Sequence, residues 1–75
     1  MQPDREVDAR GLNCPLPVLR TKKALNDMES GQLIRVTATD PGSVRDFEAF
    51  ARQTGNVLIE RGEDDGAFWF VMRRK

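Results

Sequence analysis

The only cysteine of this 75-residue chain, Cys14, is its strongest candidate nucleophile. The chain contains no histidine, so it can form neither a Cys-His pair nor a Ser-His-Asp triad. The third position after the cysteine is Pro17, where a C-x-x-C dithiol would have its second cysteine. Intramolecular disulfide chemistry and thiol-protease chemistry are therefore excluded.

A lone thiol can still carry sulfur between proteins. Its thiolate attacks the outer sulfur of a donor's persulfide and later yields that sulfur to an acceptor thiolate, by the displacement that also drives thiol–disulfide exchange. This relay needs one nucleophile and two docking partners, and a neighbouring thiol would discharge the persulfide as sulfide. We therefore predict that Cys14 acts as a persulfide carrier, a sulfurtransferase in the carrier sense and not a self-contained enzyme.

The residues around Cys14 predict that it is displayed at the start of a helix. Gly11 and Asn13 indicate a turn before it, and Pro15 and Pro17 are tolerated in a first helical turn, where N–H groups have no intrahelical acceptor. The alternative is a small buried core residue, since free cysteine is often buried. The prolines favour display, because they stiffen the chain on one side of the sulfur.

A helix start should also affect the ionisation of Cys14. First-turn N–H groups and the helix dipole favour an anion, which lowers a thiol pKa below its usual value of about 8.5. Pro15 and Pro17 remove two of those donors and leave the N–H groups of Leu16 and Val18. We therefore expect the pKa of Cys14 to be lowered moderately.

Composition excludes several other classes of function. Twelve basic and twelve acidic residues give a net charge of zero, whereas nucleic-acid-binding modules usually carry a basic excess. With one cysteine and no histidine, a zinc site is improbable, and no glycine pattern matches a nucleotide-binding loop. We expect no metal, no cofactor and no direct contact with nucleic acid.

The length and the N-terminal sequence indicate one domain, spanning residues 1–75, in the cytoplasm. A chain with 39% hydrophobic and 32% charged residues is typical of a small globular protein. Its first ten residues are charged and lack the apolar segment of a secretory signal, and no stretch approaches the ~20 apolar residues of a membrane span.

Hydrophobic periodicity predicts the elements that hold Cys14. The first helix runs from Pro15 to about Met28, with an inward stripe of Val18, Leu25 and Met28 and with Leu19 beside it. The outward side carries Arg20, Lys22, Lys23 and Asn26. Strands are predicted at Glu6–Ala9, Gln32–Thr39, Val57–Glu60 and Ala67–Arg73. A second helix covers Val44–Thr54 with Ser43 as N-cap, and a hairpin loop covers Arg61–Gly66.

The order β-α-β-α-β-β predicts an α/β (α+β) two-layer sandwich. Right-handed crossovers place both helices on one face of a mixed four-stranded sheet. The covered face should carry Ile34, Val36, Ala38, Phe68, Phe70 and Met72. The open face should carry Arg35, Thr37, Thr39, Trp69, Val71 and Arg73, with Trp69 partly exposed.

The segment from Asp8 to Pro17, with its C-P-x-P core, resembles the signature of the TusA-like (SirA-like) sulfur-carrier family. The resemblance continues at Gly31, in the turn Thr39-Asp40-Pro41 and at Arg45-Asp46, and so covers nearly the whole chain. It implies the two-layer fold and a persulfide on Cys14. It also implies that Gly11, Leu12, Pro15 and Pro17 support the motif. Asp40 has either a supporting role, such as partner recognition, or only a turn-forming one.

The resemblance further implies a protein sulfur donor, such as a cysteine desulfurase or a rhodanese, and a protein acceptor. The acceptor could serve tRNA thiolation, molybdenum-cofactor supply, selenium handling or sulfur oxidation. Arg20, Lys22 and Lys23 either dock a partner or form an ordinary solvated helix face. We expect a monomer. The alternatives to sulfur transfer are an RNA-binding or regulatory module, suggested by fold analogy, and an interaction domain that uses the sheet face around Trp69.

Overall fold

The computed structural model describes residues 2–75 and confirms the predicted architecture. The elements are β1 (Arg5–Ala9), α1 (Leu16–Asn26), β2 (Leu33–Ala38), α2 (Ser43–Thr54), β3 (Val57–Asp64) and β4 (Ala67–Arg73). The strand order in the sheet is β1-β2-β4-β3, with β1 parallel to β2 and the other two pairs antiparallel. Both helices contact the sheet and each other, so they share one face. Among the described residues, no helix is long and apolar enough to cross a membrane.

The core lies between α2 and the two central strands. Ile34, Val36 and Ala38 are fully buried, which confirms the predicted inward face of β2. The ring of Phe47 on α2 stacks on Phe70 of β4, with 4.5 Å between centroids and 20° between planes. Stacked aromatic pairs of this kind add to the free energy gained by burying apolar area.

Helix α1 is shorter than predicted, and its buried residues form a narrower stripe along the helix than the predicted one. Its buried residues are Pro17, Thr21 and Leu25, which recur every four positions and therefore lie on one face. The hydroxyl of Thr21 donates to the Pro17 carbonyl over 2.9 Å, which satisfies this buried polar group. The helix ends at Asn26, and Met28 is buried in the core from the segment that follows.

The prediction that Ser43 caps α2 is wrong. Gly42 occupies the N-cap position without a side-chain cap, and Ser43 is the first residue of the helix. Ser43 is only 1% exposed, and its hydroxyl has no hydrogen-bond partner within residues 2–75. The cap is displaced because Ser43 turns its side chain into the interior while its N–H donates to the Asp40 carbonyl over 3.0 Å.

The predicted loop at Arg61–Gly66 is wrong as well, because β3 continues to Asp64. Only Asp65 and Gly66 form the turn, with φ angles of 51° and 79°. Two successive positive φ angles suit a tight hairpin, and Asp-Gly is a preferred pair there. Gly62, which suggested a loop, lies inside the strand beneath the indole of Trp69. A Cβ at position 62 would come within 2.6 Å of that ring.

The open sheet face is more closely packed than predicted. Trp69 is partly buried against Gly62, and the guanidinium of Arg35 lies 5.3 Å from its ring centroid. Val71 pairs with Arg35 on one side and Glu60 on the other, and it is only 8% exposed although we predicted it outside. Val71 shares a surface groove with the longer side chains of Arg35, Glu60 and Trp69. Trp69 is thus engaged with residues of its own sheet.

Candidate functional site

Cys14 lies in the turn that connects β1 to α1, directly before the helix N-cap, Pro15. Its side chain is exposed, so the alternative of a buried core cysteine is wrong. Gly11 shapes this turn with a φ of 81°, which residues with a Cβ rarely adopt. Leu12 packs against the core beneath the turn, while Pro17 is fully buried in the first turn of α1. The sulfur therefore sits on a turn that is fixed from below.

The cysteine turn is bound to the loop between β2 and α2. The backbone N–H of Cys14 donates to Asp40 Oδ2 over 3.0 Å, and the N–H of Gly11 donates to Thr39 Oγ1 over 2.9 Å. The two loops meet because β1 and β2 are parallel neighbours, whose carboxyl ends lie at one edge of the sheet. The predicted supporting residue Asp40 thus lies beside Cys14.

A second carboxylate, that of Asp46, completes the surroundings of the sulfur. Asp46 lies in the first turn of α2. The sulfur of Cys14 and one carboxylate oxygen each from Asp40 and Asp46 all lie within 4.8 Å of one another. The sequence indicated Asp46 as part of the family resemblance, but its place next to Cys14 was not predicted. The parallel pairing of β1 with β2 was the signal that could have revealed it.

These carboxylates shift the pKa of Cys14 in the direction opposite to the expected one. Asp46 accepts a hydrogen bond from the protonated thiol, and this contact, partial loss of hydration and the negative charges of Asp46 and Asp40 raise the pKa of Cys14. The predicted lowering of the pKa is therefore wrong. The helix start offers little compensation, because the N–H of Leu16 donates to the Asn13 carbonyl over 2.8 Å and Pro15 and Pro17 have no N–H to donate.

Comparison with known proteins identifies the family of this chain. The model of the family described as sulfurtransferase TusA matches residues 5–74. The chain belongs to the TusA family. The sulfur carrier protein TusA of Allochromatium vinosum is 62% identical over 71 residues, which cover 95% of this chain and 93% of that protein. The sulfur carrier protein TusA of Pseudomonas putida is 40% identical over 73 residues, covering 97% and 91% of the two chains.

The fold of this TusA-family chain also has a solved counterpart. The crystal structure of a SirA-like protein from Desulfitobacterium hafniense matches it with a TM-score of 0.81 at 30% identity. The match covers 92% of this chain and 95% of the other. The predicted resemblance to TusA-like and SirA-like proteins is thereby confirmed.

Within residues 2–75 of this TusA-family chain, Cys14, Asp40 and Asp46 form the one cluster of three potential metal ligands. One thiol and two carboxylates without an imidazole do not match the cysteine and histidine sets of structural zinc sites. Two hard oxygen donors and one soft sulfur also favour no single metal class. We assign no metal to the cluster, and the absence of metal and cofactor stays a prediction.

The predicted docking residues Arg20, Lys22 and Lys23 are all exposed, but they do not form one patch. Arg20 and Lys23 line a groove between α1 and β1, together with Glu6 and Asp8 of β1 and Asp27, the C-cap residue of α1. Lys22 faces a separate groove that leads to the C-terminal end of α2.

Two leucines at the start of α1 are exposed, which the sequence did not predict. Leu16 is 47% exposed and Leu19 is 51% exposed, and their spacing of three residues places them on one face of the helix. The sequence had suggested that Leu19 lies beside the buried stripe. Both residues follow Cys14 within five positions in the chain, so exposed apolar side chains are presented by the helical turn that begins directly after the cysteine turn.

Proposed function

We propose that this TusA-family chain is a sulfur carrier that bears a persulfide on Cys14. The observation that supports this proposal most is the exposure of the chain's only cysteine on a turn fixed by Asp40 and Gly11. A displayed thiol on a rigid support can enter the active site of a donor and then that of an acceptor. Residues 1–75 would act in this way as one carrier domain.

The transfer is a displacement at sulfur. The thiolate of Cys14 attacks the outer sulfur of the donor persulfide, forming a new S–S bond while the donor's own S–S bond breaks and its electron pair stays on the donor thiolate. Delivery is the same step in reverse, with an acceptor thiolate attacking the outer sulfur and the thiolate of Cys14 leaving. No net oxidation occurs in either step, so the carrier needs no redox cofactor.

The partners are a protein donor, such as a cysteine desulfurase or a rhodanese, and a protein acceptor. The exposed leucines Leu16 and Leu19 would lie against a partner whose active site receives the thiol, with the cation of Arg20 at their margin. Apolar residues close to a reactive group are typical of a docking surface. The acceptor would belong to tRNA thiolation, molybdenum-cofactor supply or sulfur oxidation.

Mass spectrometry of the intact protein tests the proposal. Incubation with a cysteine desulfurase and cysteine, or with a rhodanese and thiosulfate, should add the mass of one sulfur atom, and a thiol reductant should remove it. Cys14→Ser should show no addition, while Asp65→Asn at the distant hairpin turn serves as a matched control that should load normally.

Sulfur bound to the Cys14→Ser protein, or no sulfur bound to the unsubstituted chain with either donor, would contradict the proposal. A complex with tRNA that survives Cys14→Ser would instead support the RNA-binding alternative. Transfer of labelled sulfur from the loaded carrier to candidate acceptors then distinguishes the three pathways.

A further inference from the structure

The carboxylates beside Cys14 determine when its sulfur can react, an inference that rests on the proposed carrier function. We propose that Asp46, assisted by Asp40, is a positioning residue that holds the sulfur of the unbound carrier as a protonated thiol, and that a sulfur donor frees the thiolate by bringing a cation to Asp46. The control of reactivity would thus be shared between the carrier and its partner.

The position of Asp46 is rigid. It lies in the first turn of α2, where its N–H donates to the Gly42 carbonyl over 3.0 Å. The next residue, Phe47, is fully buried and stacks on Phe70, which fixes this turn against the sheet. Asp46 is also partly buried, so the core fixes the backbone position from which its carboxylate reaches the sulfur.

Asp40 is fixed just as firmly. Its Oδ2 atom accepts the N–H of Cys14, and a Cβ at position 42 would lie 3.3 Å from the same oxygen and 4.0 Å from the Cβ of Cys14. The two loops are therefore packed closely at this point. The hydrogen bond from the Cys14 N–H therefore holds the carboxylate of Asp40 beside the cysteine.

Within residues 2–75, no positive group is among the causes of the raised pKa of Cys14. The charges that shift the pKa of Cys14 are those of Asp46 and Asp40, and both are negative. The first turn of α1, residues 16–19, has no ionisable side chain. On the preceding turn, the guanidinium of Arg10 is engaged with both carboxylate oxygens of Asp8. On α2, the carboxylate of Glu48 pairs with Arg61 and not with a group at the sulfur.

A donor with a lysine or arginine near its persulfide would reverse this balance. Once Asp46 pairs with that cation, the thiol loses its hydrogen-bond acceptor and the repulsion on its anion falls. The proton then passes to water, the sulfur keeps the electron pair, and the thiolate attacks the donor persulfide as described above. Since the thiolate is the form that oxidants and electrophiles attack, the unbound carrier is protected until it docks.

The rate of alkylation by iodoacetamide as a function of pH tests the first half of the proposal. The full chain is used without any sulfur donor, and its single cysteine makes the rate specific for Cys14. Asp46→Asn should move the profile to lower pH and raise the rate at pH 7 about threefold or more, because that rate follows the thiolate fraction. Asp40→Asn should raise it less, and Asp27→Asn at the far end of α1 should leave it unchanged.

Two small disulfides test the second half. Cystamine carries two ammonium groups, whereas hydroxyethyl disulfide is neutral, and both exchange with a thiolate. The measured quantity is the rate of reaction with cystamine divided by the rate with the neutral disulfide. This ratio should be larger for the unsubstituted chain than for Asp46→Asn, and added salt should lower it. Equal ratios for the two proteins would overturn the role of the cation.

These experiments test the role of Asp46 independently of whether Cys14 carries sulfur. If Asp46→Asn folds but its alkylation profile overlays that of the unsubstituted chain, the inference is overturned even where Cys14 carries sulfur. If Cys14 carries no sulfur, the shifted profile still establishes that Asp46 controls the thiol. A purely structural role of Asp46 would lower the free energy of unfolding without moving the pH profile.

Discussion

The two helices lie side by side on the same face of the sheet, yet they divide the work of the molecule. Helix α2 buries Phe47 completely and Phe50 to within 7% exposure. Helix α1 buries Pro17, Thr21 and Leu25 but leaves Leu16 and Leu19 about half exposed. One helix therefore uses its large apolar residues for the core, and the other keeps two of them at the surface beside the cysteine.

Because of this difference, α2 contributes mainly to the stability of the fold, whereas α1 presents exposed apolar side chains. Because α2 is anchored through Phe47, the neighbouring Asp46 is presented to Cys14 from a fixed position. Because α1 is held by a narrow row of smaller contacts, its remaining apolar surface is available to a partner. A substitution of a buried aromatic residue of α2 should thus affect folding first, whereas one on the outer side of α1 should affect sulfur transfer first.

The largest expected effect is that of Phe47→Ala in α2. Removing a fully buried aromatic side chain and its stack on Phe70 should lower the free energy of unfolding by about 3–5 kcal/mol. A 75-residue domain has roughly 4–11 kcal/mol in total, so much of the protein could unfold. Urea denaturation followed by circular dichroism measures the loss. A loss below about 1 kcal/mol would show that α2 is not the anchor.

A matched pair of leucines within α1 sharpens the comparison. Leu25 is 4% exposed, so Leu25→Ala should lower the free energy of unfolding by about 2–5 kcal/mol. Leu19 is 51% exposed, so Leu19→Ala should change it by less than about 0.5 kcal/mol.

Leu19→Ala should instead slow sulfur transfer from a donor protein while alkylation of Cys14 by iodoacetamide proceeds at the same rate. Saturation kinetics with a cysteine desulfurase measure the first quantity. Transfer that is as fast as in the unsubstituted chain would mean that the exposed side of α1 does not dock the donor.

The features that could be predicted from sequence are those set by local periodicity. Ile34, Val36 and Ala38 alternate with polar residues, and the sheet buries them as predicted. The element order fixed the layers because right-handed crossovers leave few alternatives. The exposure of Cys14 followed from the turn and proline residues next to it.

The features that were missed depend on residues distant in the chain. Gly62 suggested a loop, but Trp69 from the neighbouring strand covers it and makes it part of β3. The pKa of Cys14 was predicted from its own helix, whereas Asp46 on the other helix controls it. Neither contact has a local pattern, and both appear only when the strand pairing is known.

The smallest expected effect is that of Ser43→Ala, and it tests how α2 begins. An N-cap serine donates stability through its hydroxyl, so its replacement by alanine typically costs about 1 kcal/mol. Ser43 is instead the first residue of the helix, buried to 1% exposure, and its hydroxyl is unpaired within residues 2–75. A buried hydroxyl without a partner is itself destabilising.

Ser43→Ala should therefore leave the free energy of unfolding unchanged or raise it by up to about 1 kcal/mol, because alanine removes the unpaired group and favours the helix. Ser43→Gly is the matched control, because it removes the same hydroxyl but adds backbone freedom to the unfolded chain. It should therefore be less stable than Ser43→Ala, by about 0.5 kcal/mol. A loss on Ser43→Ala similar to that of the glycine variant would show that the hydroxyl has a partner after all. The expected result would show that α2 needs no side-chain cap from Ser43 to hold Asp46 beside the sulfur.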